Sequence, residues 1–206
     1  SFGSEILPGP PLEALRRSVD AVLVCTGVWR EPSLGERGTQ ILGGLEFLES
    51  FKNGSCTSVP SRVAVLAGSD SAMESARIAR ESGATEVHVI FAGERSALHW
   101  HMPESWFATP GVHALMEWEP LRYEFGADGT LRGLHLRHTK FGASVLLKID
   151  MAIEAMALQR DPRWDSIADA PGIYLAGAIL NGGTSVASCL AEGCAAAARL
   201  HADLFP

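Results

Sequence analysis

The sequence predicts an α/β protein built on a parallel sheet, and three observations carry that expectation. Residues 62–93 run strand, helix, strand (RVAVLAG, SAMESARIARESG, EVHVIFAG), the length and order of a right-handed βαβ unit of about 30 residues. Two apolar runs, VDAVLVCTG (19–27) and GIYLAGAIL (172–180), read as strands buried on both faces. The pattern alternates from 113 to 150, and Asp128-Gly129 falls between two alternating segments, a hairpin signal.

In chain order, LEALRR suits a short helix, with Pro10 and Pro11 at its start. The 19–27 strand ends at Gly27. Residues 28–60 are rich in Gly, Pro and Ser and carry one helix, GLEFLESFK (44–52), so they read as a connector. The 62–68 strand leads to a helix over 71–83 with Ala72, Ala76, Ile78, Ala79 and Met73 turned inward and Gly83 past its end. The hairpin is followed by SVLLKIDMAIEAM (144–156), expected to continue as one strand, then by the 172–180 strand and an Ala-rich helix over 184–204.

Composition narrows the function classes. Hydrophobic residues make up 47% of the 206 and charged residues 20%, so a packed core is expected. The net charge of -7 and the lack of a basic run disfavour nucleic acid or an anionic membrane as partner. Cys25, Cys56, Cys189 and Cys194 show no CxxC spacing. They are expected to be buried, reduced thiols of a cytoplasmic protein rather than zinc ligands or a redox dithiol. His99 and His101 lie near Glu104, without a third ligand at recognisable spacing, and Ser185 has no evident His/Asp partners. The opening at Ser1 reads as entry into an element, so a fragment of a longer protein is expected.

The turn at 67–72 carries the most specific question. A dinucleotide turn wants glycine for the bend, glycine for close approach of the pyrophosphate, and a small residue for helix packing. Here those positions hold Ala67, Ser69 and Ala72, and Gly68 sits where the pattern is free. The Ser71 end of the helix offers N–H groups to an anion, while Asp70 and Glu74 bring negative charge.

Five segments in order, VDAVLVCTGVWREPSLGERG, GLEFLESF, RVAVLAGSDSAMESARIARESGATEVHVIF, DMAIEAMAL and PGIYLAGAILNGGTSVASCLAEGCAAAARL, resemble the glutamate synthase small-subunit family of flavin-dependent pyridine-nucleotide oxidoreductases. The resemblance implies a Rossmann-like three-layer NAD(P)-binding domain inserted between pieces of an FAD-binding domain. Its edges would be 1–58 for the end of the first FAD segment and connector, 59–149 for the NAD(P)-binding-like domain, and 150–206 for the returning FAD segment. It implies NAD(P)H and FAD as cofactors, a partner subunit or electron acceptor, and cofactor contacts at Gly27, Ala67, Gly68, Ser69, Asp70, Ser71, Ala72, Arg95, Gly177, Ala178, Thr184, Ser185 and Val186. Met102-Pro103 would line the nucleotide cleft.

The departures from the family pattern are of one kind and suggest a degenerate site. Ala67-Gly68-Ser69 stands for three glycines, Ala92-Gly93 for two arginines, Ala157 for glycine, and Ala178 for an aspartate that holds the flavin ribityl chain. The first flavin fingerprint is not in these residues. Two function classes follow. One is part of an oxidoreductase passing electrons from NAD(P)H through FAD to a partner, with no catalytic side chain of its own. The other is a cofactor-less Rossmann-like scaffold.

Overall fold

The computed structural model describes residues 6–35, 38–97, 104–167, 170–182 and 185–206. The chain forms two units, Glu31–Ala157 and Ser1–Arg30 with Leu158–Pro206. The expected edges at 58/59 and 149/150 both fall inside the first of these, because strands on the far side of each edge pair within one sheet.

Naming elements in chain order, the chain contributes α1 (Pro10–Ser18), β1 (Val22–Val24), β2 (Ile41–Gly43), α2 (Gly44–Lys52), β3 (Arg62–Ala67), α3 (Ser71–Glu81), β4 (Glu86–Phe91), β5 (Val112–Met116), β6 (Trp118–Phe125), β7 (Leu131–His138), β8 (Ser144–Lys148), β9 (Met151–Ala155), β10 (Ile173–Leu175), α4 (Ala178–Asn181) and α5 (Val186–Leu204). In the 31–157 unit, five parallel strands stand in the order β2-β9-β3-β4-β5, and β6-β7-β8 form a separate antiparallel sheet.

The period-2 alternation of β3 explains the layering. Val63, Val65 and Ala67 pack with Phe47 of α2 and Ala72, Met73, Ala76 and Ala79 of α3. Ala64 and Leu66 pack on the other face with Leu134 and Leu136 of β7 and Tyr123 of β6. A strand buried on both faces therefore separates a helical layer from an antiparallel one. The inward residues expected for α3 are all buried, and Ser75 joins them.

Four expectations need correction. Residues 144–156 are two strands in two sheets, because the chain leaves the antiparallel sheet at Ile149-Asp150. There Arg62 clamps Asp150 through Nε at 2.9 Å and Nη2 at 2.5 Å, and the Asp150 amide bonds to the Arg62 carbonyl at 2.9 Å. The 28–60 connector holds a strand, β2, which pairs in parallel with β9. The 172–180 strand stops at Leu175, since Gly177 turns the chain into α4. The cysteines are unbridged but not buried: Cys25 and Cys194 are exposed, Cys56 and Cys189 partly so.

The other unit pairs β1 with β10 in parallel and has a small core of Leu12, Val24, Trp164, Ile167, Leu175 and Ile179. α5 buries only Ala196 and leaves Val186 79% and Leu190 66% exposed. No described helix is long and apolar enough to cross a membrane.

Candidate nucleotide site

The 67–72 turn leaves the carboxyl end of β3, at the middle of the parallel sheet, the edge where open α/β sheets take ligands. Ala67 carries no strain there: among the described residues Glu117 is the one non-glycine with positive φ, at 65°. Gly68 is required by the close approach of the chain that follows β9. A Cβ on it would stand 2.7 Å from the Ala157 amide nitrogen and 3.1 Å from Met156 Cα.

Ser69 is turned inward. Its N–H donates to the Ala155 carbonyl at 3.1 Å, its hydroxyl reaches the same carbonyl at 2.9 Å, and Ser69 Oγ lies 2.7 Å from Ser71 Oγ. The Ser69 side chain is thus held on the carbonyl at the end of β9. Each hydroxyl has one hydrogen. The contact with the Ala155 carbonyl uses the Ser69 hydrogen, so Ser71 donates to Ser69 Oγ; the Ser71 hydrogen becomes available to an anion when Ser69 turns its own from Ala155 to Ser71, the Ser69 amide still holding Ala155. That donor set accommodates one anionic oxygen at the start of α3, fewer than an all-glycine turn presents.

The local charge opposes strong anion binding. Asp70 is the N-cap residue of α3 and makes no side-chain cap bond. Glu74 is held in its ionised form, below the ordinary carboxylate range, by its hydrogen bond from Arg77, which also pairs with Glu81. The neighbouring helix start is filled from within: Glu31 accepts the Leu45 N–H at 2.7 Å and Glu46 accepts the Gly43 N–H at 3.1 Å. Two carboxylates of this chain thus sit where α2 offers its free donors.

Arg95 lies in a short 3-10 turn, Arg95–Ala97, with its guanidinium over the Phe107 ring, 5.5 Å from the centroid. Ala92 and Gly93 precede it, and Glu94 bonds to Lys140 Nζ at 2.8 Å. His99, His101, Met102 and Pro103 lie outside the described residues.

In the other unit, Gly27 and Gly177 leave the carboxyl ends of the paired strands β1 and β10. Gly27 has φ 75° and carries the Trp29 indole, whose Nε1 would lie 3.2 Å from a Cβ there and donates to the Thr26 carbonyl at 2.6 Å. A cavity of about 250 Å³ opens beside it, lined by Thr26, Gly27, Trp29, Arg30, Asp161 and Trp164. Ala178 begins α4 and offers no side-chain acceptor. Thr184 lies outside the described residues. The cap of α5 is Ser185, which accepts the Ser188 N–H at 3.1 Å and whose own N–H bonds Ser188 Oγ at 3.3 Å; Val186 opens the helix, exposed.

Over an alignment 243 positions long, the chain is 26% identical to the glutamate synthase [NADPH] small chain of Azospirillum brasilense, across 93% of its own length. This chain is similar to the glutamate synthase small chain. The resemblance read from the motifs is borne out. A second relative, the NADP(+)-dependent formate dehydrogenase subunit beta of Moorella thermoacetica, is 32% identical over 99 residues, 45% of this chain and 14% of that subunit. The chain spans about half, 50%, of the length of the Azospirillum relative. No protein-family model matches. Among solved structures, thioredoxin reductase of T. acidophilum superposes with a TM-score of 0.66 over 90% of this chain and 66% of that one, at 17% identity. That likeness bears out the α/β, Rossmann-like fold.

Several features of the site were not read from the sequence. Ala155, Glu31 and Lys140 lie far along the chain from the groups they meet, and no local pattern marks them. The capping glutamate Glu46, three residues after the Gly43 cap, is the one locally legible signal.

Proposed function

We propose that this chain is the nucleotide-handling part of a flavin-dependent NAD(P)H oxidoreductase subunit, passing electrons onward to a partner subunit. The observation that carries the reading is the placement of the 67–72 turn at the carboxyl edge of a central parallel strand, in a chain similar along 93% of its length to a glutamate synthase small chain. Bound nucleotide and flavin would supply the hydride and electron chemistry. The chain's own residues would bind and orient: Ser71 and the start of α3 toward a phosphate oxygen, and Gly27, Gly177, Ala178, Thr184, Ser185 and Val186 toward the flavin.

Calorimetric titration of the chain with NADH and NADPH tests the reading. Removing one hydroxyl donor by Ser71→Ala should weaken binding about fivefold to tenfold, the equivalent of roughly 1 kcal/mol. Unchanged affinity in both Ser71→Ala and Ser69→Gly would make the turn structural.

A second reading, a scaffold without nucleotide, is favoured by one observation: the amide and hydroxyl of Ser69 both serve the Ala155 carbonyl. Absence of binding by either nucleotide at millimolar concentration would support it.

A further inference from the structure

We infer that the dinucleotide suited to the 31–157 unit is the one without a 2′-phosphate, NADH rather than NADPH, and that Glu94 sets this preference. The inference rests on the nucleotide-site reading given under Proposed function. Its basis is the register of two strands and the charge gathered at their ends.

β3 and β4 pair from Arg62↔Glu86 to Leu66↔Ile90. The residues following Phe91 therefore leave β4 beside the 67–72 turn, where the adenine ribose lies in open α/β dinucleotide sites. An acidic side chain past the second strand accepts from the ribose hydroxyls, whereas an arginine there neutralises a 2′-phosphate. This chain has Ala92, Gly93 and then Glu94.

Glu94 is part of a fixed group. The Glu117 N–H donates to the Gly93 carbonyl at 3.0 Å, and the Thr139 N–H donates to the Glu117 carbonyl at 2.8 Å. This stitching brings Lys140 between two carboxylates, Glu94 at 2.8 Å and Glu117 in a closer ion pair. Two negative charges and one positive leave the group at -1. The lysine already serves both acids, so a 2′-phosphate arriving there would displace one carboxylate and stay beside the other. A ribose diol meets no such penalty and can donate to Glu94. The nearest arginine in sequence, Arg95, is directed onto the Phe107 ring. The relatives described above carry NADPH or NADP(+) in their names, so this would be a departure from them.

The test is calorimetry of the whole chain with NADH and with NADPH, repeated for Glu94→Gln and for Glu94→Gln/Glu117→Gln. Circular dichroism and melting establish that each variant is folded; Glu94 is an exposed side chain, so its replacement leaves the core untouched. Wild type should bind NADH about tenfold more tightly than NADPH, the effect of roughly one like-charge contact near the surface. Glu94→Gln should bring the two affinities within about threefold, and the double variant, with Lys140 released, should favour NADPH. Equal or tighter NADPH binding by wild type, or an unchanged ratio in folded Glu94→Gln, would overturn the inference while leaving the nucleotide site standing. Binding of neither nucleotide would overturn the site itself and this inference with it.

Discussion

A single carboxylate shows how much one residue can hold in this fold. Glu154 is fully buried in β9, and its Oε1 accepts both the Leu34 N–H at 2.9 Å and the Tyr123 hydroxyl at 2.8 Å. Truncation leaves both donors without that acceptor, the Tyr123 hydroxyl in the buried core and the Leu34 N–H partly buried. Glu154→Ala should cost about 3 kcal/mol, Tyr123→Phe about 1 kcal/mol, and Glu154→Gln should fall between them. Urea denaturation midpoints measure all three; equal costs for Gln and Ala would show that the acceptor oxygen is not what matters. Legibility at this scale is uneven. Gly68 announces itself as a turn glycine, yet its cause is the backbone of Met156 and Ala157, far along the chain. Glu154 sits in an otherwise apolar run, and nothing in its neighbours names Leu34 or Tyr123 as its partners.

At the scale of elements, the split of 144–156 into β8 and β9 turns on Asp150. Its carboxyl is held below the ordinary range, chiefly by the hydrogen bond from Arg62. A depressed carboxylate favours the folded state fully above the ordinary value of about 3.9 and loses that contribution as pH falls through its folded value. Asp150→Asn should remove this acid-side component and lower stability at neutral pH by roughly 1 kcal/mol, since side-chain exposures of 35% for Arg62 and 29% for Asp150 let solvent weaken the pair. Melting midpoints between pH 3 and 7 check it: the wild-type advantage over the variant should shrink toward acid pH, and a constant gap would refute the assignment. The boundaries of α2, and β3, α3 and β4 to within two residues, were legible because helical and strand periodicity is local. β2 was not, because three residues carry no period, and β9 was not separated from β8, because only the change of sheet divides them.

At the scale of the molecule, the two units differ in how much they bury. Residues 31–157 close two continuous apolar clusters, one on each face of the parallel sheet. A chain limited to 31–157 should therefore unfold in one cooperative transition; a broad, non-cooperative melt would contradict its independence. Native-state hydrogen exchange on the full chain should find the slowest amides in β3, β4 and β9 and much faster exchange along α5, which buries a single alanine over 19 residues. The order of the five motif segments made the fold legible despite low identity, because four of them carry strands of the two parallel sheets. The density of packing around each was not in that order.

The strand order also sets a timetable. β2 and β3 are neighbours in sequence but not in space, and β9 stands between them. With strands about 4.8 Å apart, a strand-wide slot between them stays empty until residue 151 has left the ribosome. The five-stranded sheet must wait in an unfinished state for β9, the last of its strands in the chain, to slide home. A chain released at residue 149 should thus stay open to protease, while one released at 157 should resist it, and pulse proteolysis of the two would show the keystone arriving.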